Sequence, residues 1–407
     1  MEKCRFGVVG LGGRGMGILK GILLEMPDVE IVAVCDEYGD RTEEAAEKVH
    51  EKCGVRPFAT NDHRELFSHG GMDAVFIATA WETHVEVAID AMRAGIPVAM
   101  EVGGAYTLES LWNLVRTQER TGVPFMMMEN CCFGKTELLV TSMVRRGLLG
   151  KIVHCHGAYG HYLAEEVAGG EQNRHYRLRN YLSRNCENYP THELGPIAKI
   201  LDINRGNRML SLVSVASGAF GMEDYIVRNA EKYPELAGKK FRQGDIVNTI
   251  ITCADGSTIS LKLDTTLPRS YSREFTVQGT RGLYEMNTDS VYLAGEEESF
   301  DTAEYYRAHF GNVARFEADC LPEIWHSDRK DLVRAGHGGM DGIEFRVFVD
   351  CLREGRPMPV DVYDAAAWMA VTVLSEQSVA AGGMPQFFPD FTGGEWLRRK
   401  RLDVVKL

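Results

Sequence analysis

Short apolar runs and amphipathic stretches alternate along the first 130 residues. RFGVVG, residues 5 to 10, is an apolar run ending in glycine and predicts a strand. GLGGRG continues from Gly10 to Gly15, MGILKGILLEM has the spacing of a helix, and VEIVAVCD predicts a second strand closing on Asp36. TEEAAEKVHEKCG predicts a helix, DAVFIAT (73 to 79) a buried strand, and ETHVEVAIDAMRAG an amphipathic helix closed by Gly95. IPVAMEV, TLESLWNLVRTQERTG and PFMMMENC follow as strand, helix and strand. Repeated strand–helix units of this kind specify a doubly wound parallel sheet with right-handed crossovers. Ligands of such sheets bind at the carboxyl ends of the strands, here Ala80 to His84, Glu101 to Gly104 and Glu129 to Cys132.

After about residue 150 the pattern changes. IVHCHGAYGH, MLSLVSVASG, DIVNTIITCADGSTISLKLDTT, REFTVQGTRGLYEMN and DSVYLAG alternate apolar with polar positions, and DG and TRG mark turns. They predict an open, largely antiparallel sheet with little helix between its strands. Helices are expected over 340 to 355 and 363 to 382, before a Gly/Pro-rich tail. A chain of 407 residues is too long for one core. The expected class is therefore α/β, with a dinucleotide-binding domain over 1–130 and an α+β substrate and oligomerisation domain over 131–407, whose C-terminal tail can pack back on the first.

Charge and composition narrow the partners. A net charge of -13 repels nucleic acid and anionic membrane, which argues against both. No stretch has the 18 or so uninterrupted apolar residues that a membrane span needs. The N-terminus leads directly into a strand, so the chain as numbered reads as cytoplasmic, or as one whose export signal has been removed. Ten cysteines without a repeated spacing read as buried thiols, and adjacent Cys131 and Cys132 are poorly placed to bridge each other. HCH at 154 to 156 puts two imidazoles on one face of a strand, but with no third ligand in view no metal site is expected. The basic run Arg398 to Arg401 reads as a solvated helix end or a subunit contact.

Two places carry candidate chemistry. Gly10, Gly12 and Gly15 form a GxGxxG turn after a strand and before a helix, and Asp36 stands 21 residues after Gly15. Gly10 permits the tight turn, Gly12 lets backbone approach a pyrophosphate, and Gly15 allows close packing of helix on strand. Gly13 and Arg14 complete the loop. Asp36 would accept from a ribose 2′-hydroxyl and repel a 2′-phosphate, which favours NAD, while Arg41 is a positive charge nearby. Ala80, Trp81, His84, Glu101, Val102 and Asn130, at the other strand ends, complete the expected cofactor-binding set. The second place is NYPTHELGP, 188 to 196, where Tyr189 and His192 stand three positions apart on a proline-stiffened turn.

DAVFIATAWETHVEVAIDAMRAGIPVAMEV resembles the signature of the Gfo/Idh/MocA oxidoreductases, in which the last strand usually ends in Glu-Lys-Pro. This chain has Glu101-Val102-Gly103 there, without the lysine that sits beside the reacting carbon. MMMENCCFG, GAYGH, NYPTHELGPIAKILDINRGNR, LPRSYSR, QGTRG, GHGGMD, DVYDAAAW and FFPDFT are together similar to glycoside hydrolase family 109, nearly end to end. That family's named activity is α-N-acetylgalactosaminidase. The resemblance implies a glycosidase that holds NAD tightly and recycles it within each turnover. The scheme is oxidation at C3, elimination across C1–C2, water addition and re-reduction, on α and β linkages alike. By motif position it assigns His192 to the C3 hydroxyl, Tyr159 to the C2 proton, Glu129 to sugar hydroxyls or the nicotinamide ribose, and Tyr189 and Tyr271 to shaping the site. His337 in GHGGMD is a further candidate. Gly103-Gly104, Phe133 and His161-Tyr162 depart from the family pattern and leave the sugar open. A net sugar or cyclitol dehydrogenase is the main alternative, and a non-catalytic sensor is a second. The expected partner is a small glycoside, and the open sheet suggests a homo-oligomer by analogy.

Overall fold

The computed structural model describes residues 3–296, 303–326 and 335–407. Its strands are β1 (Cys4–Val9), β2 (Val29–Cys35), β3 (Phe58–Thr60), β4 (Ala74–Ile77), β5 (Val98–Glu101), β6 (Phe125–Met128), β7 (Ile152–Gly160), β8 (Met209–Ala216), β9 (Ile246–Cys253), β10 (Thr258–Asp264), β11 (Thr276–Gly279), β12 (Gly282–Glu285), β13 (Ser290–Leu293) and β14 (Gln386–Phe387). Its helices are α1 (Gly13–Gly21), α2 (Gly39–Cys53), α3 (His63–His69), α4 (His84–Arg93), α5 (Leu108–Thr121), α6 (Lys135–Arg145), α7 (Ala164–Ala168), α8 (Arg177–Ser183), α9 (Thr191–Ile200), α10 (Phe220–Arg228), α11 (Ala303–Ala308), α12 (Glu317–Cys320), α13 (Met340–Glu354) and α14 (Val362–Ala380). Two compact units result, Met1–Gly134 with Ile324–Ala366, and Lys135–Glu323 with Ala367–Leu407.

The first unit holds a six-stranded parallel sheet in the order β3-β2-β1-β4-β5-β6. This is the dinucleotide-binding order, with the reversal between β1 and β4 marking the ligand crevice. Strands β4, β5 and β6 are buried throughout, as strands covered on both faces must be. The glycine-containing MGILKGILLEM does not run as one helix. α1 ends at Gly21 and a 3₁₀ turn follows over Leu23–Glu25, because glycine is a weak helix former. β3 and α3 were not foreseen, being too short for a period to register.

This unit is built from two stretches of chain rather than from residues 1–130 alone. α13 presents Phe345 edge-on to Phe76 of β4, with centroids 5.1 Å apart, and Phe348 to Phe6 of β1 at 5.9 Å. Both phenylalanines are fully buried, and each such burial stabilises by roughly 1.5–3 kcal/mol. Asp28, ahead of β2, accepts from Arg346 at 2.8 Å and pairs with Arg353, so α13 is also held by charge. Burial alone would raise the Asp28 carboxyl, but the two guanidiniums outweigh it and hold the pKa low.

The second unit holds an eight-stranded sheet in the order β13-β12-β11-β7-β10-β9-β8-β14. Every pairing is antiparallel except β10 with β7. The expectation of little helix fails here. α7, α8 and α9 lie between β7 and β8, and α10 lies between β8 and β9. These helices have 5 to 10 residues, too few turns for a helical period to stand out. NYPTHELGP is likewise no turn. Thr191 opens α9, with Pro190 before it and Pro196 inside. Pro190 comes before the first turn, whose N–H groups lack helical partners anyway, whereas Pro196 in the helix interior gives up one helical hydrogen bond.

Alternation along β7 sorts its side chains. Tyr159 faces α9, and Gly157 lies so close to that helix that a Cβ there would come within 3.0 Å of the Cβ of Glu193. His154 and His156 do share the opposite face, as the sequence suggests. His154 hydrogen-bonds Thr258 and Ser260, and His156 hydrogen-bonds Ser260 and Glu274. All ten cysteines are free, and Cys53 alone among them is exposed. In the Arg398 to Arg401 run, Arg401 pairs with Asp202 at 2.7 Å and Arg398 with Glu395 at 3.7 Å.

Candidate active site

In the first unit the Gly-rich turn is shaped for close approach. Gly10 sits at φ +93°, and a Cβ there would lie 2.5 Å from the backbone of Ala78 on the far side of the crevice. A Cβ on Gly15 would lie 1.9 Å from the carbonyl oxygen of Gly10, so only glycine lets α1 start against the turn. Gly13 has open space where its side chain would be, and Gly12 meets only Arg41 at 3.6 Å. No side chain caps α1 at Gly12, and its first amides are therefore available to an anion. These features fit the pyrophosphate of a dinucleotide.

Asp36 is buried at the end of β2. Its carboxylate accepts from the Leu11 amide at 2.6 Å and the Tyr38 amide at 3.0 Å, which pins the Gly-rich turn to the strand end. Arg41 lies 3.9 Å from the same carboxylate and over the Tyr38 ring. Ala80 follows β4 and accepts from the amides of Thr83 and His84, starting α4. Trp81 and Val102 are buried.

His84 is fully buried, and that burial lowers its pKa to about 4, so the ring is neutral near neutral pH. Gly103, one of the departures from the family pattern, now has a reason. A Cβ on it would come within 2.5 Å of Trp81 and 2.6 Å of His84, so two rigid rings occupy the room of its missing side chain. Gly103→Pro, which restores the residue usual in the wider superfamily, is expected to cost about 1–3 kcal/mol through overpacking and to weaken NAD binding. Thermal melting and cofactor titration check this, and wild-type values in both would remove the packing argument.

A charged knot closes the same unit. Arg14 of the Gly-rich turn donates to Glu101 at 2.6 Å and forks onto Asp341 of α13 at 2.7 and 3.2 Å. Asn130 donates to Asp341 at 2.7 Å, and Nδ1 of His337 lies 2.9 Å from it. Asp341 is buried, which alone would raise its pKa, but His337 and Arg14 together hold it well below the carboxylate range. Three sequence candidates, Arg14, Glu101 and Asn130, thus meet through a residue that sequence reasoning missed. GHGGMD was noticed, but His337 drew the attention. Glu344, one turn beyond Asp341, is fully buried and pushed strongly toward its neutral form by burial and by Asp341, Glu101 and Glu129. Glu129 itself lies at the carboxyl end of β6 in this unit, accepting from the Cys131 amide at 3.1 Å.

In the second unit four of the five catalytic candidates come together. The Tyr159 and Tyr189 rings are 4.6 Å apart, Tyr189 and His192 are 4.8 Å apart, and Tyr159 and His192 are 5.7 Å apart. Tyr271 joins through His161, whose ring is 5.2 Å from it and whose Nδ1 lies 3.2 Å from the Tyr159 hydroxyl. Tyr159 and Tyr189 are buried, whereas Tyr271 is half exposed. Two members were not foreseen. His161 was seen only as a departure from the family pattern. Arg177, in the polar run HYRLRN, has no spacing to mark it.

Arg177 is buried, paired with Glu166 at 2.6 Å, and lies 5.1 Å over the Tyr189 ring. Burial pushes the Tyr159 phenol up to about 12, and the Arg177 guanidinium pulls the other way. The cluster thus offers imidazoles and phenols for proton transfer, with a buried cation that favours the Tyr159 phenolate.

Comparison with known proteins agrees with both units. Residues 4–129 match the oxidoreductase family with an NAD-binding Rossmann fold, and residues 133–398 match the family described as Glycosyl hydrolase 109, C-terminal domain. A glycosyl hydrolase family 109 protein of Stenotrophomonas maltophilia is 36% identical over 423 residues, covering 98% of this chain and 91% of the relative. An alpha-N-acetylgalactosaminidase of Tannerella forsythia is 35% identical over 421 residues, covering 97% of this chain and 88% of the relative. Among solved structures, myo-inositol 2-dehydrogenase of Lactobacillus plantarum superposes with a TM-score of 0.67 at 16% identity, over 95% of this chain and all of that one. Scyllo-inositol dehydrogenase of Lactobacillus casei with bound NAD(H) and scyllo-inositol gives 0.64 at 14% identity, over 95% of this chain and 99% of that one. Those two likenesses speak for the fold alone. The chain belongs to glycoside hydrolase family 109, with an NAD-binding Rossmann domain of the Gfo/Idh/MocA type.

Proposed function

We propose that the protein hydrolyses α-N-acetylgalactosaminides by a redox-neutral route in which NAD stays bound through each turnover. The observation that carries this reading is the gathering of Tyr159, Tyr189, His192 and Arg177 on one side of the β7 sheet. The named activity of the Tannerella forsythia relative supports the choice of sugar. NAD, when bound, supplies a two-electron acceptor at sugar C3 that returns the electrons before the product leaves.

The protein's own residues hold the nucleotide and move the protons. The α1 amides and the Gly10–Gly15 turn take the pyrophosphate, and Asp36, Trp81, His84, Glu101, Val102 and Asn130 line the remainder of the cofactor path. His192 takes the proton of the C3 hydroxyl. The C3 ketone, formed once the C3 hydrogen has also left as hydride, acidifies the C2 hydrogen, which Tyr159 removes as the aglycone departs from C1. After water adds at C1, Tyr159 returns a proton to C2 and His192 returns one to the C3 oxygen. Each such transfer group contributes about 10²–10⁴ in rate. Paired carboxylates at a fixed separation are not needed, because no oxocarbenium ion forms. Cleavage by elimination depends weakly on the direction of the C1 bond, so β-linked substrates fall within the same reading.

Hydrolysis of nitrophenyl α- and β-glycosides in deuterated water tests the scheme. Deuterium is expected at C2 of the released sugar. Rapid hydrolysis without it overturns the route. One second reading, open to any chain with an NAD-binding Rossmann domain, is net oxidation of a sugar or cyclitol. It predicts accumulating NADH, and the valine at 102 in place of lysine counts against it.

A further inference from the structure

Glu187 and Glu193 bracket Tyr189 and His192 in sequence, and both are buried, at 0% and 2% exposure. Their carboxyls face each other. Beyond each other, their polar company is the backbone N–H groups of Tyr189 and Leu263 for Glu187, and of Tyr159 for Glu193. None of these contacts has good hydrogen-bond geometry, and no salt bridge reaches either carboxyl among the described residues. The Glu187 backbone is itself fixed by the Ser375 hydroxyl at 2.9 Å, and Glu193 is wedged against Gly157 of β7. Two carboxyls in that setting cannot both be ionised.

The surrounding charges are committed elsewhere. Tyr159 of β7 and, beyond it, Glu274 ahead of β11 face the pair. Glu274 is held by His156, Lys262 and Arg269. On α6, Glu137 is taken by Arg273 and Arg145 by Asp202 and Asp403. On α14, Glu376 is taken by Arg184.

We propose that Glu187 and Glu193 are positioning residues that share a proton beneath the Tyr159, Tyr189 and His192 side chains, and that losing this proton to solvent base turns the site off. The proposal rests on the reading of those three side chains as the catalytic set. Its logic is geometric. Glu187 leads through Asn188 into Tyr189, Glu193 follows His192 on α9, and both carboxyls turn toward the backbone that carries Tyr189 and Tyr159. A second negative charge in this dry space would force the carboxyls apart and move those backbones. Burial first, and the neighbouring carboxyl second for Glu193, raise both groups, with Glu187 near about 8.

The NAD-loaded wild type, Glu187→Gln, Glu193→Gln and the double variant provide the test. The infrared difference spectrum of wild type minus double variant should contain a protonated-carboxyl carbonyl band at neutral pH that fades as the solution is made alkaline; the subtraction removes the contribution of buried Glu344. The alkaline limb of the kcat profile should move up by about one pH unit or more in the glutamine variants, which mimic the protonated acid, with kcat at neutral pH within about threefold of wild type. Stability should also fall with pH in the wild type. A carboxyl raised in the fold contributes fully below its ordinary pKa of 4.5, and this contribution is lost as pH rises toward about 8. Absence of that band from the wild-type-minus-double-variant difference at neutral pH overturns the proposal, as does an unmoved alkaline limb in folded, NAD-bound variants. If no glycoside is turned over at all, the reading of the function fails, while the carbonyl band still decides on the pair.

Discussion

Replacing His192 by alanine is expected to lower kcat by about 10²–10⁴ while NAD remains bound. The nucleotide cradle, from Gly10 through Asp36 to Asn130, is made of first-unit residues, and His192 belongs to the second unit. The side chain lies in the first turn of α9 and touches the Tyr159 and Tyr189 rings edge-on. Losing those ring contacts costs about 0.5–1.5 kcal/mol each, too little to unfold a domain of this size. Steady-state turnover of a nitrophenyl glycoside and the cofactor absorbance of the purified variant check both halves. Turnover equal to wild type would remove the histidine from the mechanism.

Replacing Arg177 by methionine is expected to have the next largest effect, lowering kcat near neutral pH by about tenfold for each unit by which the Tyr159 pKa rises. Burial already places that phenol near about 12, and the Arg177 guanidinium is the influence that most opposes it. A base acts in its deprotonated form, so a higher pKa leaves less of it at working pH. The acidic limb of the kcat profile should therefore move to higher pH in the variant. The cation also lies over the Tyr189 ring, a contact worth about 2 kcal/mol when desolvated. Arg177→Lys should restore part of the rate, since the charge is kept and only the planar fork is lost. A pH profile with the wild-type limb would show that Arg177 does not act through Tyr159.

Periodicity along the chain specified the first sheet almost strand by strand. Parallel strands covered on both faces are continuous apolar runs, and the helices between them are long enough to show an amphipathic stripe. The spacing Gly10, Gly12, Gly15 and Asp36 identified the dinucleotide turn before any coordinate was needed, because the steric demands at Gly10 and Gly15 admit no other residue. Quoted motifs also brought the family into view, and with it Tyr159, Tyr189, His192 and Tyr271. β3, α3 and the short helices α7 to α10 were not legible, since a segment of one or two turns has no period to read.

Tertiary contact alone decided the rest. Pro190 and Pro196 read as a turn, yet Pro190 sits just ahead of α9 and Pro196 inside it, where burial of the helix against β7 offsets the lost helical hydrogen bond. Arg177 and His161 became members of the site only when the sheet brought them to Tyr159, and Glu187 and Glu193 became a pair only when both lost contact with water. Asp341 joined Arg14 and Asn130 across more than 200 residues of chain. The sequence by itself determined the longer elements and the Gly-rich turn, whose causes lie within a few residues. Only the folded chain determined which charges meet and which carboxyls are buried, because those depend on long-range contact that no local spacing encodes.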